Sequence, residues 1–385
     1  MLYNKNDKRD YEKKEGLIMF LKSVLSKMID SIYVKKGYHK GYGMSWLRSA
    51  VQEYKTSSLT SKEKRWALNR GFYPWRIAQY GLNDENYINC LSDRDYKFLF
   101  PMNTKYSMWI DNKLTMKYIL KPFDEHMSKY YFHLLKERNC HVMRLMDCPM
   151  KYSADYEGIL RLLEEKQVLA GKPSGGTYGI GFCKFEYKDG KYYVNNEEKN
   201  RVKMIEFFHS LKDYIIIEYI IMHQEIGRLN PGSLNTIRVM LINEDGNNPY
   251  IASSFMRIGT KQSGIVDNTA QGGMFCKVDV KTGKFYDGEK IDNHVISPSP
   301  KHPDTGELIE GVIPNWELVK EKLIEIASYM PQLEWMGFDV AITQDGFNII
   351  EINSHQGLHR YHTYPQDVKS YFMRKLKEKK EKNKT

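Results

Sequence analysis

WMGFDVAITQDGFNIIEINSHQG, residues 335–357, brings an Asp, a Glu and an Asn toward one point. Asp339 follows an apolar lead-in with a glycine, and Gln344-Asp345-Gly346 makes a hairpin turn. Residues 347–353, FNIIEIN, then read as a second strand, whose two-residue period puts Glu351 and Asn353 on one face. Three side-chain oxygens converging across a hairpin suit a hard divalent cation, which completes its shell with phosphate oxygens. A polar face on an edge hairpin is otherwise simply solvated, so the assignment depends on what accompanies it.

A glycine-rich stretch upstream, residues 168–181, reads VLAGKPSGGTYGIG. An apolar strand end delivers Lys172, after which Ser174, Gly175, Gly176 and Thr177 open a loop whose free backbone N–H groups can close over phosphate oxygens. The lysine precedes the glycines, so the order is not that of a Walker loop.

That order, followed by the hairpin, resembles the ATP-grasp superfamily. Asp111-Asn112-Lys113-Leu114 is similar to its Asp-Lys element with one residue inserted, and Lys172 with its loop is similar to its second lysine and mobile loop. Ile216-Ile217-Glu218-Tyr219-Ile220 resembles the adenine hinge, and Asp339, Glu351 and Asn353 match the metal set. A nearer likeness is to the sugar-transfer-associated branch, encoded among genes for surface polysaccharides. It rests on residues 233–239 (SLNTIRV), Asp267-Asn268, Gly272-Gly273, residues 302–306 (HPDTG), residues 313–316 (IPNW) and EINSHQGLH. The D-alanine–D-alanine ligase branch carries an arginine two residues before the metal Asp, whereas this chain has Gly337. Positive charge for an acyl-phosphate must come from elsewhere, and Arg238 and Arg257, each inside an apolar strand-like run, are the candidates, although such arginines otherwise face outward from a strand.

The resemblance implies an α+β fold in which two lobes enclose a nucleotide cleft, with an added N-terminal helical region. The expected divisions are a basic helical region at 1–95, a lobe with the phosphate loop at 96–215, a metal-bearing lobe at 216–368 and a basic tail at 369–385. It further implies ATP with one or two Mg²⁺ ions, Mn²⁺ being an alternative of similar ligand preference. Lys113 and Lys172 would hold phosphates, Ser174 to Thr177 would cover them, and Glu218, Tyr219 and Ile220 would face adenine. The implied reaction joins an amine or amino acid to a carboxyl-bearing sugar or polysaccharide precursor through an acyl-phosphate. Arg238 or Arg257 could hold the carboxylate, Asp267 and Asn268 an ammonium or sugar hydroxyl, and His355 a substrate or proton. A phosphotransferase on the same scaffold and a nucleotide-binding partner of a glycosyltransferase assembly are the alternatives. His355 and His359 are spaced for one helical face, but Gly357 between them and the lack of an HExxH pattern weigh against zinc.

Composition supports an enzyme-sized core: 385 residues, 41% hydrophobic and 13% aromatic. No run of about 18 apolar residues occurs, and the polar start does not resemble a secretory signal. Five scattered cysteines, Cys90, Cys140, Cys148, Cys183 and Cys276, form no CxxC pair and fit reduced thiols in a cytoplasm. The net charge of +10 is uneven: residues 1–76 hold 17 Lys and Arg against 7 Asp and Glu, and residues 369–385 hold 8 against 2. The remainder is acidic, which argues against a nucleic-acid groove, while the basic ends could lie against the inner face of a membrane.

Leu17, Ile18, Leu21, Val24, Leu25, Met28, Ile29 and Ile32 recur at helical spacing, making an amphipathic helix that would dock on the body or lie in a membrane interface. Further along, Ser61-Lys62-Glu63-Lys64 opens a helix that Gly71 to Trp75 breaks. Helices are expected at 124–139, 153–165 and 316–329, and strands at 215–221, 236–242 and 250–258, with a hairpin around Thr282-Gly283. The lysine-rich end beyond Leu376 lacks apolar support and is expected to fray.

Overall fold

Asparagine, serine and threonine caps and a run of aromatic strands set the local elements, here described in a computed structural model for residues 22–135, 141–176, 179–292, 294–356 and 366–383. Spatial proximity divides the chain into two units, residues 1–102 with 357–385, and residues 103–356.

The first unit is helical. Helix α1 covers 22–35, followed by α2 (Tyr42–Thr56), α3 (Ser61–Asn69), α4 (Arg76–Tyr80) and α5 (Asp93–Leu99). Thr60 caps α3 with Glu63 reaching back to the Thr60 N–H, the reciprocal box that satisfies two orphan donors. The chain end is a correction: a helix, Gln366–Lys382, runs through the lysine-rich segment expected to fray. Val368, Tyr371, Phe372 and Leu376 are buried, and Lys379 donates to the Phe98 carbonyl, so tertiary contacts supply the support missing from the local sequence.

The second unit holds two antiparallel sheets. The first runs in the order β2-β1-β7-β3-β4-β5-β6. Its strands are β1 (Tyr130–Leu134), β2 (Val142–Arg144), β3 (Val168–Pro173), β4 (Cys183–Lys188), β5 (Lys191–Val194), β6 (Glu197–Lys199) and β7 (Tyr214–Glu218). The second has eight strands, β12-β11-β10-β9-β8-β14-β15 with β13 paired to β11. These are β8 (Thr236–Ile242), β9 (Tyr250–Ile258), β10 (Met274–Val278), β11 (Lys284–Asp292), β12 (Val295–Pro298), β13 (Gly311–Val312), β14 (Trp335–Thr343) and β15 (Gly346–Asn353). The helices of this unit are α6 (Met108–Asp111), α7 (Lys113–Ile119), α8 (Tyr156–Lys166), α9 (Arg201–Ser210), α10 (Gln224–Gly227) and α11 (Trp316–Tyr329).

The expected helix at 124–139 is a second correction. Asp124 lies within a 3₁₀ turn, Lys121–His126, and Tyr130–Leu134 is a strand whose five residues are all buried. Helical spacing in YYFHL was misleading because a central strand covered on both faces is apolar throughout, and aromatic side chains favour the pleated surface.

Each sheet packs helices on one side. Phe132, Leu169, Phe185 and Ile216 meet Ile159 and Leu163 of α8 and Phe208 of α9. Val239, Leu241, Met256, Val340 and Ile342 meet Val319, Leu323 and Ile326 of α11. Side chains of this kind contribute roughly 1.5–3 kcal/mol each when fully buried. Asn103 pins the start of β14 by giving and taking hydrogen bonds with the Trp335 backbone, at 2.6 and 2.9 Å. Asn103→Ala leaves both backbone groups buried and unpaired and should lower stability by about 1–3 kcal/mol. Chemical denaturation followed by Trp fluorescence measures this; an unchanged midpoint would show that water replaces the amide.

Candidate nucleotide and metal site

Strand register assembles the site. Asp339 on β14 stands directly opposite Glu351 on β15 and Arg238 on β8, while Asn353 stands opposite Gly337. The Asn353 amide lies 3.4 Å from an Asp339 oxygen and 3.3 Å from a Glu351 oxygen, so the three groups expected to gather do gather. Pairing skips from Asp339–Glu351 to Val340–Ile349, leaving Ile350 as an extra residue in β15. Lys172 at the end of β3 donates to the Ile350 carbonyl at 3.1 Å, so a lysine of the first sheet docks on the bulge of the second.

Asp339 is 1% exposed and carries two guanidiniums. Arg238 pairs with it through Nε and, at 3.0 Å, through Nη2, and Arg257 on β9 approaches to 2.8 Å. Burial alone would raise the Asp339 carboxyl, but Arg238 and Arg257 hold it far below the usual carboxylate range. Both arginines therefore face inward, and Gly337 has Gln356 packed where any side chain would go, a Cβ there standing 2.1 Å from the amide.

Lys113 begins α7, with the Asn112 side chain capping the helix. Its Nζ donates to the Gly176 carbonyl at 3.2 Å and lies 3.6 Å from Glu351, while its N–H donates to the Ser174 carbonyl. One turn on, the fully buried Lys117 holds Asp124, Asp147 at 3.0 Å and the Ser128 carbonyl at 3.0 Å, locking α7 in place. The Lys172 ammonium is pushed down to about 7 by burial and then by neighbouring Lys113, with Glu351 opposing.

Ser174 donates to Asp213 at 2.6 Å, and the other Asp213 oxygen meets His133 Nε2 at 2.7 Å, anchoring the base of the glycine loop. Farther along the loop Gly179, at φ +67°, sits so close to Val266 that a Cβ would be 2.9 Å from its methyl carbon. Thr177 lies outside the described residues, as do Leu17, Ile18, Leu21, Cys140, His359 and His362.

Glu218 ends β7 exposed, its N–H donating to the Lys129 carbonyl. Tyr219 packs on Tyr130, Ala170 and Ile217, and Ile220 follows half-buried. Asp267 is committed to Thr236, accepting its N–H and its hydroxyl, and lies 3.6 Å from Arg257. Burial raises its carboxyl despite the arginine. The Asn268 carbonyl accepts the Gln271 and Gly273 N–H groups. His302 binds the Gly259 carbonyl and receives the Asp304 and Thr305 N–H groups, so the HPDTG stretch is a structural clip.

Sequence reading quoted Asp111 in the Asp-Lys element but gave it no role of its own. It accepts the Ser354 hydroxyl at 3.0 Å, and Ser354 meets His355 Nδ1 at 2.9 Å. Together with Lys113, Gly176, Glu351 and Asn353 these residues line a cavity of about 320 Å³. The Asp-Lys element marked Asp111 locally, but its Ser354 partner, 243 positions away, comes only through the fold.

Among the described residues no group of three His, Cys, Asp or Glu side chains gathers as a metal cluster. The set here is two carboxylates and an amide, oxygen donors that fit Mg²⁺ rather than a soft cation.

The sequence model of the sugar-transfer associated ATP-grasp family matches residues 94–364, and the chain belongs to that family. Among solved structures, D-alanine–D-alanine ligase from Bacillus anthracis matches at 13% identity over 71% of this chain and 68% of that one, with a TM-score of 0.36. D-alanyl-alanine synthetase A from Vibrio cholerae O1 biovar eltor matches at 12% identity over 74% of this chain and 67% of its own, with a TM-score of 0.39. The ATP-grasp ligase PsnB, complexed with a precursor variant, Mg and ADP, matches at 11% identity over 72% of this chain and 60% of PsnB, with a TM-score of 0.36. No protein with a curated description matches the chain.

Asp339→Asn should destabilise the ligand-free protein by roughly 3–5 kcal/mol, because two guanidiniums lose the buried carboxylate they share, Arg257 keeping only Asp267 at 3.6 Å. Glu351→Gln, at a carboxylate whose side chain is 23% exposed and whose Lys113 partner stands 3.6 Å away, should cost less, about 1 kcal/mol. Urea unfolding of the two variants measures the difference; equal effects would mean that the arginines turn to solvent when Asp339 is neutralised.

Proposed function

We propose that the cleft between the two sheets binds MgATP and activates a carboxylate as an acyl-phosphate, which an amine then converts to an amide. The observation that carries this reading is the convergence of Lys113 and Lys172 from the first half of the unit on Asp339, Glu351 and Asn353 of the hairpin. In this reading residues 96–215 supply the phosphate-loop lobe and residues 216–368 the metal-bearing lobe.

The ligand-free site is balanced internally, with Arg238 and Arg257 on Asp339 and Lys113 beside Glu351. A polyphosphate can take these cations over, freeing carboxylate oxygens for Mg²⁺. Asp339, Glu351 and Asn353 would hold the ion, the Asn353 amide turning its oxygen inward. Mg²⁺ supplies neutralisation of phosphate charge and polarisation of the transferred group.

The chain's own groups do the rest. Lys113 and Lys172 hold phosphate oxygens, and Ser174 to Thr177 cover them with backbone N–H groups and exclude water. Glu218, Tyr219 and Ile220 face adenine, beside the apolar patch of Tyr130, Ala170 and Ile217. Arg238 and Arg257 stabilise charge as a carboxylate oxygen attacks the γ-phosphorus and ADP leaves. The amine nitrogen then attacks the acyl carbon, phosphate departs and the nitrogen loses a proton. The cavity at Asp111, Ser354 and His355 is where the acceptor sits. Asp267, held by Thr236 and 3.6 Å from Arg257, steadies that guanidinium, with Asn268 beside it. Family membership supports a sugar-linked carboxylate with a small amine as the substrate pair.

Calorimetry with a non-hydrolysable ATP analogue and Mg²⁺ should show binding that Glu351→Gln weakens by tenfold or more, about 1.4 kcal/mol. With carboxylate and ATP, hydroxylamine in place of the amine should trap a hydroxamate. ADP formation with no hydroxamate would sink the ligase reading and favour phosphoryl transfer to a hydroxyl.

Binding should also take up protons. Lys172 titrates at about 7 in the free protein, and phosphate favours its charged form. Uptake should therefore approach about 0.9 proton near pH 8 and about 0.1 near pH 6, with affinity falling as pH rises above about 7. Calorimetry in two buffers of different ionisation enthalpy measures it; equal uptake at both pH values, or uptake retained in Lys172→Met, would assign the proton elsewhere.

A further inference from the structure

Helix α1 turns the wrong face outward. At 100° per residue, Val24, Leu25, Met28 and Ile32 share one stripe, and they are 37%, 57%, 61% and 53% exposed. The opposite side faces the helical unit and is more polar: Ser26 accepts from Arg48 at 3.1 Å and Asp30 accepts the Gly41 N–H at 2.9 Å. Tyr33 packs edge-on against Tyr38, with ring centroids 5.1 Å apart. A surface helix ordinarily buries its apolar stripe, so this one is built to be covered by something beyond its own unit.

Charge indicates what covers it. Residues 1–102 and 357–385 together hold 28 Lys and Arg against 14 Asp and Glu, a net +14, whereas residues 103–356 hold 30 against 34, a net −4. Lys27 flanks the stripe on one side and Lys22 on the other, with Lys35 and Lys36 at its end. The fold also brings the second basic end to this helix: a Cβ on Gly37 would stand 1.9 Å from the Asn383 side chain, so the lysine-rich terminus of the C-terminal helix meets the end of α1. A second copy packed on the same stripe would set these lysines against their own equivalents. A polynucleotide would satisfy the charge and leave the apolar stripe in water. An anionic bilayer surface satisfies both, taking the apolar side chains into the headgroup boundary and the ammonium groups among the phosphates.

We propose that the stripe Val24, Leu25, Met28 and Ile32, with Lys22, Lys27, Lys35 and Lys36, is a docking face for an anionic membrane surface. The whole chain is centrifuged with vesicles of phosphatidylcholine alone or mixed equally with phosphatidylglycerol. Binding should appear only with the anionic vesicles and weaken steeply with salt. Leu25→Ser/Met28→Ser/Ile32→Ser should lower it by about tenfold or more, and Lys22→Gln/Lys27→Gln/Lys35→Gln should do so too, with circular dichroism unchanged. These residues are exposed, so the variants fold, and binding of the ATP analogue by the other unit gives an independent check. Wild-type protein left in the supernatant with both vesicles overturns the proposal, as does a serine variant that binds like wild type. A dimer that the serine variant dissociates, with no vesicle binding, overturns it in favour of a second copy.

Discussion

A single buried carboxylate, Asp339, organises the sheet unit, because an ionised oxygen 1% exposed to water must be matched by charge. It sits on a central strand with Arg238 on one neighbour and Glu351 on the other, and Arg257 one strand further out. The sheet register is thus the site geometry. A one-residue slip of β8 or β15 would put Arg238 or Glu351 on the core face, exchanging charge for the apolar residues beneath. Core packing of Val239, Val340 and Ile352 and placement of the charged cluster are enforced by the same alternation.

The bulge at Ile350 is the second device. Without the extra residue, the side chains before and after it would keep one phase, and Phe347 and Ile349 would share a face with Glu351 and Asn353. With it, Phe347, Ile349 and Ile352 are all buried while Glu351 and Asn353 face the cleft. The same irregularity turns a carbonyl toward Lys172, so a buried ammonium with no carboxylate in hydrogen-bond reach has an acceptor in the ligand-free state. The cost of burying Lys172, and then of holding it near Lys113, is its lowered proton affinity, which a polyanion would relieve. Preorganised cations of this kind need little rearrangement when charge arrives.

What could be read in advance follows how local the signal is. β8, β9 and α11 match their expected limits because an apolar strand-forming run, or an apolar face at helical spacing, lies wholly inside each segment. The gathering of Asp339, Glu351 and Asn353 was legible because one hairpin carries all three. Arg238 and Arg257 were suspected from their place in apolar runs, but only pairing across three strands turns them toward Asp339. Lys117, Asp213 and His133 escaped notice and Asp111 was given no role, each being defined by partners from other elements. The strand at Tyr130 and the helical C-terminus failed for the same reason: tertiary burial overrode weak local preference.

The two units distribute charge by different physics. The sheet unit is net −4 yet concentrates four cations, Lys113, Lys172, Arg238 and Arg257, around a partly enclosed space. Its pull on a polyphosphate is short-ranged, since screening confines exposed charges to about 8 Å at physiological salt while buried pairs are screened far less. The helical unit, at +14, spreads its cations over exposed side chains, where each is worth little alone and the sum acts on an extended anionic surface. A nucleotide, small and densely charged, gains most from the first arrangement. A membrane, broad and sparsely charged per unit area, gains most from the second. On the proposed readings, that separation would let an acidic sheet unit and a basic helical unit in one chain take different ligands.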